Sequence, residues 1–409
     1  MGESQTPYFY PKKKMKKALR FIWATGMVCF VTGGGEAYGQ EDLNTAGRML
    51  QQEERLTIGG YGQIDYNQPI QNGIMENGKL DVHRLVFMVG YKFSDKVQFV
   101  SEVELEHVKE LYVEQAFLQA EILPWLKFRG GLILIPMGII NEYHEPPTFN
   151  GVERPNLDKY IVPTTWREIG GGFTGTFPLV GLSYQAYIVN GFCSYDGEPR
   201  LDGANGFRKG RQKGAESIIS SPNLALRVNY FGIPGLQMGM SLYGGETQST
   251  LKDGTDRSDP ESLSRTDSSV VGLLMVGADA RYSIKGLSFR AQINYGRVSG
   301  AGAYNSFTGS DLGSALAGGY AELSYNLFHS MEGRETELIP FVRYERYNTH
   351  ASVTGETVKD PSLNRTDITM GLGYKFHSGA MLKMDYQIFS DRGDSERKHQ
   401  FNTGVAVWF

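Results

Sequence analysis

The chain has almost no cysteine, no long apolar run beyond its N-terminal region and almost no excess of charge, and each shortage removes a class of protein. Its cysteines are Cys29 and Cys193, and loss of the first segment on export would leave Cys193 alone, so no internal disulfide is expected. Cys193 is then an unpaired loop residue. No stretch after the N-terminal region approaches the roughly 18 consecutive apolar residues that a transmembrane helix needs. A net charge of -4 with 21% charged residues points neither to disorder nor to nucleic-acid binding. What is present is 23 Tyr, 22 Phe and 51 Gly, a mixture that favours all-β chains with many tight turns over helical bundles.

The N-terminus carries a targeting pattern. Lys12, Lys13, Lys14, Lys16 and Lys17 form a cationic region, Leu19 to Val31 an apolar run, and Ala37-Tyr38-Gly39 a small-residue site before Gln40. This layout predicts a signal peptide over residues 1–39, with Met15 as an alternative true start. A bilayer-spanning helix takes about 20 residues, more than this run supplies. Residues 40–54 are then a short periplasmic lead-in. They are too short for the folded plug of an active transporter, whose barrel typically has about 22 strands.

From Arg55 to Phe409 the sequence breaks into segments with apolar residues at every second position, the dyad repeat of transmembrane strands. Leu382, Met384, Tyr386 and Ile388 oppose Lys383, Asp385 and Gln387; Leu287, Phe289, Ala291, Ile293 and Tyr295 oppose Arg290, Gln292 and Asn294. A soluble sandwich would turn its apolar face to a core. Here the polar face holds full charges and long amides, which fits a wet lumen with lipid outside. Short turns such as Ser94-Asp95, Lys285-Gly286 and Ser378-Gly379 alternate with long loops such as 136–165, 193–221 and 246–268. The expected fold is all-β: a transmembrane antiparallel β-barrel of about 16 strands over 55–409, with short periplasmic turns and long extracellular loops. Its place is the outer membrane of a Gram-negative bacterium, among outer-membrane lipids. The last segment, with Phe401, Val405, Val407 and Phe409 on one face, resembles the C-terminal signal that such barrels present to the barrel-assembly machinery.

On this face assignment the lumen receives the bases Arg84, Lys92, Lys127, Arg129, Arg227, Arg281, Arg290, Arg343, Lys375 and Lys383. It also receives the acids Asp65, Glu102, Glu104, Glu106, Glu168, Asp279, Glu322, Glu345, Asp367 and Asp385. The signs nearly cancel, so their distribution matters more than their sum. A base stripe facing the stack Glu102, Glu104 and Glu106 would set up a transverse field that orients dipolar solutes. The plainer alternative is a set of solvated lumen residues that tune conductance slightly.

Three stretches resemble the phosphate-selective porin family of the O and P type: Leu56 to Tyr66 (LTIGGYGQIDY), Arg129-Gly130-Gly131 followed by Ile135-Pro136-Met137-Gly138, and Trp166-Arg167-Glu168-Ile169-Gly170 after a long third loop. The resemblance implies a 16-stranded barrel, usually a homotrimer, with the third loop folded into the pore. It also implies arginines and lysines that contact the anion. In this sequence Arg154, Lys159 and Arg167 are the candidates for the constriction, because guanidinium and ammonium groups bind phosphate oxygens by charge-assisted hydrogen bonds. The alternative is that they salt-bridge to Glu153, Asp158 and Glu168 and pin the loop to the wall.

Catalytic and cofactor readings are weaker. The histidines are scattered without a paired nucleophile, and Glu142-Tyr143-His144-Glu145 lacks the spacing of a metal site, which leaves His144 as a neutral loop residue. No enzyme activity, cofactor, metal or nucleic-acid partner is expected. The sequence therefore predicts a porin for passive diffusion of small hydrophilic solutes, anions including phosphate among them. The alternative is a structural or adhesion barrel whose long loops bind an external partner.

Overall fold

The computed structural model describes residues 41–409 apart from Asp42 and Glu332; the expected signal peptide lies outside the described residues. Sixteen long antiparallel strands make one closed sheet. In chain order they are β1 Leu56–Gln71, β2 Lys79–Ser94, β3 Val97–Glu106, β4 Glu110–Leu123, β5 Leu126–Leu134, β6 Arg167–Phe177, β7 Leu182–Val189 and β8 Asn223–Ile233. The second half holds β9 Leu236–Glu246, β10 Gly272–Ile284, β11 Leu287–Ser299, β12 Ala315–Tyr325, β13 Glu337–Ser352, β14 Asn364–His377, β15 Ala380–Asp391 and β16 Lys398–Trp408. Each strand pairs with its successor, and β1 closes on β16 in a ladder running from Tyr61 opposite Trp408 to Gln71 opposite Lys398. Closure leaves no edge with unpaired backbone groups, which hydrocarbon would not satisfy.

The dyad pattern sets which side of the sheet is greasy. On β11 Ile293 is 64% exposed, while its neighbours Gln292 and Asn294 are 1% and 4% exposed. Met240, Met370, Met384 and Val405 likewise face outward. An outer surface of this kind is solvated by lipid tails, so the polar face points inward. No helix among the described residues is long and apolar enough to cross a membrane.

β4 breaks the alternation for a definable reason. The register between β3 and β4 shifts at Glu102/Val103, so Glu114 is an extra, bulged residue and both Glu114 and Gln115 turn inward. Leu111 and Val113 face out before the bulge and Leu118 faces out after it. Neither face of β4 is apolar throughout because the two faces exchange at the bulge.

The interior is more filled than a wet cylinder would be. The third loop, residues 135–166, turns into the barrel and buries Ile135, Met137, Ile139, Ile140, Phe149, Leu157, Ile161, Val162 and Trp166 in one cluster with Tyr187, Phe192, Phe207, Tyr243 and Tyr320. Gly138 makes the inward turn possible: its φ is 71°, and a Cβ there would lie 2.6 Å from Nε2 of Gln292. The Oε1 of Gln292 accepts from the N–H of Ile139 at 2.7 Å.

The lead-in is also part of the interior. Residues 45–51 form a helix, α1 Thr45–Gln51, whose N-cap Asn44 accepts from the N–H of Gly47. Ala46 and Met49 on this helix join Val86, Met88 and Val100, inward-facing apolar residues of β2 and β3. These would be misplaced in a water-filled lumen, and α1 covers them. The segment therefore folds into the barrel mouth as a lining element rather than trailing free.

Candidate functional site: the third loop and the outer cavity

Many of the charges assigned to the lumen hold the third loop. The ammonium of Lys383 donates to the carbonyls of Phe149 at 2.6 Å and Gly151 at 3.0 Å, and also to that of Pro146. Asp385 accepts from the N–H of Val152 at 2.6 Å. Arg343 pairs with Glu322 and Glu345 and donates to the carbonyl of Glu153. Arg290 reaches the carbonyl of Thr148, and Arg227 pairs with Asp279 and Glu142 while donating to the carbonyl of Gly138. The backbone of an inward loop has few partners of its own, so wall side chains supply them. Lys383, Asp385, Arg343 and Arg227 are buried and Arg290 half-buried, and each of them anchors the loop.

His144 is the central anchor on the other wall. Its Nε2 lies 3.2 Å from Glu102 and 3.1 Å from Glu114, and Tyr61 donates to Glu102 at 2.6 Å. Burial pulls the imidazole pKa down, but Glu102 and Glu114 outweigh it and carry it up to about 10. His144 is therefore an imidazolium bridging two carboxylates, which corrects the expectation of a neutral loop residue. The bulge in β4 aims Glu114 at it.

The three residues expected at the constriction share one cavity of about 700 Å³ on the extracellular side of the loop. Arg154 is half-buried, its guanidinium 6.0 Å from the Phe149 ring centre, and donates to the carbonyl of His144 at 2.8 Å. Lys159 lies over the Tyr160 ring. Arg167 sits 3.6 Å from Glu114 and donates to Thr165. The acids offered as their salt-bridge partners are engaged elsewhere: Glu153 accepts from Asn67, Asp158 from Gln292, and Glu168 from Trp166, Tyr243 and Gly191.

The other predicted pore residues divide by level. Arg84, Glu104 and Glu106 line the outer cavity, and Glu102 is sealed under the loop. Lys375 pairs with Glu337 at a second cavity of about 390 Å³, and Lys127 faces Glu121 at 4.0 Å. Arg129 donates to Gln119 and covers Phe117, and Arg281 lies over Tyr143. Loop residues separate the cavities: Phe149 and Val152 line the outer one, Pro147, Thr148 and Asn150 the inner one.

The sequence reading missed Arg208, Arg211 and Lys213. The fourth loop, residues 190–222, lays them against the outer cavity beside Arg167. Arg211 donates to the carbonyls of Pro163, Thr164 and Thr165, Arg208 to that of Thr164, and Lys213 covers the Tyr112 ring. None of these three makes an ion pair with a carboxylate among the described residues. Burial and then the neighbouring Arg208 and Arg167 push the Arg211 pKa down to about 9. The available signal was the run Arg208-Lys209-Gly210-Arg211-Gln212-Lys213, basic with no acid inside it.

Comparison with known proteins places this geometry. No model of a known protein family matches the sequence. The chain is 32% identical over 371 residues to an uncharacterized protein of Aquifex aeolicus (strain VF5), a match covering 86% of this chain and 80% of that protein. Among solved structures, the outer membrane channel DcaP of Acinetobacter baumannii superposes with a TM-score of 0.54 at 10% identity, over 87% of this chain and 97% of that one. Salmonella typhi OmpF gives 0.52 at 10% identity over 87% and 97%, and Pseudomonas putida OprB gives 0.52 at 9% over 87% and 94%. The fold is thus that of the porin-type barrels of the Gram-negative outer membrane. The narrower resemblance to the phosphate-selective porins of the O and P type rests on short motifs alone.

Proposed function

This chain belongs to the same family as the Aquifex aeolicus protein, and we propose that its barrel is a narrow diffusion pore for small hydrophilic solutes that prefers anions, phosphate among them. The observation that carries the reading is the composition of the outer cavity. Lysines and arginines outnumber aspartates and glutamates among the residues lining it, and Arg208, Arg211 and Lys213 have no carboxylate partner there. Cations gathered in a cleft with low-dielectric walls raise the local anion concentration. The third loop narrows the passage, so the pore is selective by charge and small in bore. Arg154, Lys159 and Arg167 then form the inner contacts, and the fourth-loop bases form the collar above them. No step in this function needs a nucleophile or cofactor, and a homotrimer is the assembly we expect.

Planar-bilayer recordings in a KCl gradient test the proposal. A reversal potential displaced toward the chloride equilibrium value is the expected outcome. Displacement toward potassium overturns the anion preference, and purified protein that inserts without conducting overturns the pore.

A further inference from the structure

A second group of charged and imidazole donors lies in the wall made by β1 and β2, and none of them bonds the third loop. Asp65 and Asp81 stand directly opposite each other in the ladder. Like charges so placed repel. Nδ1 of His83 lies 2.9 Å from Asp65, and Nδ1 of His107 lies 2.5 Å from Asp81. One donor atom from each of Asp65, Asp81 and His83 falls within 4.8 Å of the other two. Independently, the Asp65 side chain is 1% exposed, yet its Oδ1 has no hydrogen-bond partner. A buried carboxylate oxygen without a partner is costly unless something fills it. His83 and His107 both line the outer cavity, so the group is reachable from the extracellular side.

We propose that Asp65, Asp81 and His83 form a divalent-cation site of zinc type in the cavity wall. Two carboxylates and one imidazole are ligand types that zinc accepts, and a three-residue set leaves a fourth position for water. His107 is a positioning residue: its bond to Asp81 orients that carboxylate. The other three-donor group, Glu102, Glu114 and His144, is sealed under the third loop with its donors already paired, and serves as the anchor described above.

Binding has a defined effect on a neighbour. Arg84 Nη2 lies 2.7 Å from Nε2 of His83, so the neutral ring carries its proton on Nδ1 and donates it to Asp65. A cation at Nδ1 moves that proton to Nε2, and the ring stays neutral. Two donors then face each other, so Arg84 releases the ring and closes on Glu104, now 3.5 Å away. The bound cation adds positive charge to the wall of the same cavity.

The test uses full-length protein purified without a polyhistidine tag and titrated with CoCl2 and ZnCl2. One equivalent of Co2+ with visible ligand-field absorption, displaced by Zn2+, is expected. D81N and H83Q should each weaken Zn2+ binding by calorimetry at least about 100-fold, and H107A about tenfold. Heat-dependent gel mobility identifies folded barrels, and two separate ligand variants keep the test open if one fails to fold. Wild-type protein that binds no stoichiometric metal, or a folded D81N or H83Q that keeps wild-type affinity, overturns the site.

Discussion

Nε2 of His144, on the third loop, lies 3.1 Å from Oε2 of Glu114, the bulged residue of β4, and neither side chain is more than 1% exposed. A loop that must stay inside a barrel is held here by an ion pair that water does not reach. Removing one partner of such a pair leaves the other charge buried alone, at about 3–5 kcal/mol. His144→Gln should lower thermal stability by a loss of that size, read from the shift in heat-dependent gel mobility. It should also raise single-channel conductance as the loop loosens. Unchanged conductance and melting would reject the anchoring role.

The same pair gives the barrel a pH dependence. The His144 pKa is raised from its ordinary value of 6.5 to about 10. Its stabilising contribution is therefore complete below about pH 6.5 and is lost as pH rises through 10. The melting temperature of the wild type should fall across that window, and the His144→Gln variant should fall less. Parallel curves for the two proteins would contradict the assignment.

A corresponding test applies on the opposite side of the loop. Lys383 donates to three loop carbonyls, those of Pro146, Phe149 and Gly151, from a buried position. Lys383→Met removes all three donations, and each orphaned carbonyl costs about 1–3 kcal/mol. Loop mobility should rise, seen as open-channel noise and as faster proteolysis near Gly151. A quiet channel of wild-type conductance would show that the loop holds without this anchor.

The barrel was legible in the sequence because lipid outside and polar groups inside impose a strict two-residue period, as at Gln292, Ile293 and Asn294. The period failed where the chain inserts a residue, as at Glu114 on β4 and at His83/Arg84 on β2, since a bulge exchanges the faces without any compositional mark. Site chemistry was less legible. Lys383, Asp385 and Arg343 have the same pattern whether they meet water or a folded-in loop, and the loop's inward turn is a tertiary event. Arg208, Arg211 and Lys213 sit far along the chain from Arg154 and Arg167, so nothing in the spacing placed them together. His144 gave no sign of its charge because Glu102 and Glu114 reach it from strands about thirty to forty residues away.

Ion preference should follow the fourth-loop bases. Neutralising Arg208, Arg211 and Lys213 together to Gln removes three cations that lack carboxylate partners, leaving their neighbours' backbone bonds largely to the amides. The chloride-to-potassium permeability ratio should fall about threefold or more, with conductance in high salt little changed because screening already mutes the field. Neutralising Arg154, Lys159 and Arg167 should lower the ratio as well. A ratio that does not move in either variant would reject a cationic filter in the outer cavity.

The lead-in helix supplies the last test. Met49 reaches to within 3.3 Å of where a Gly90 Cβ would stand, and Asn44 and Thr45 bond Glu142 and Glu145 of the third loop. The helix thus covers the apolar patch of Val86, Met88 and Val100 and braces the loop from the same side. Deleting residues 41–54 should expose that patch to lumen water, lower the melting temperature and widen the passage. Met49→Asp should reproduce the stability loss by placing a carboxylate against Met88 and Val100, at about 2 kcal/mol or more. Because Met49→Asp keeps the chain in place, it separates the two roles: a destabilised barrel with unchanged conductance means the helix is a cover for the wall, and a rise in conductance means it also restricts the pore.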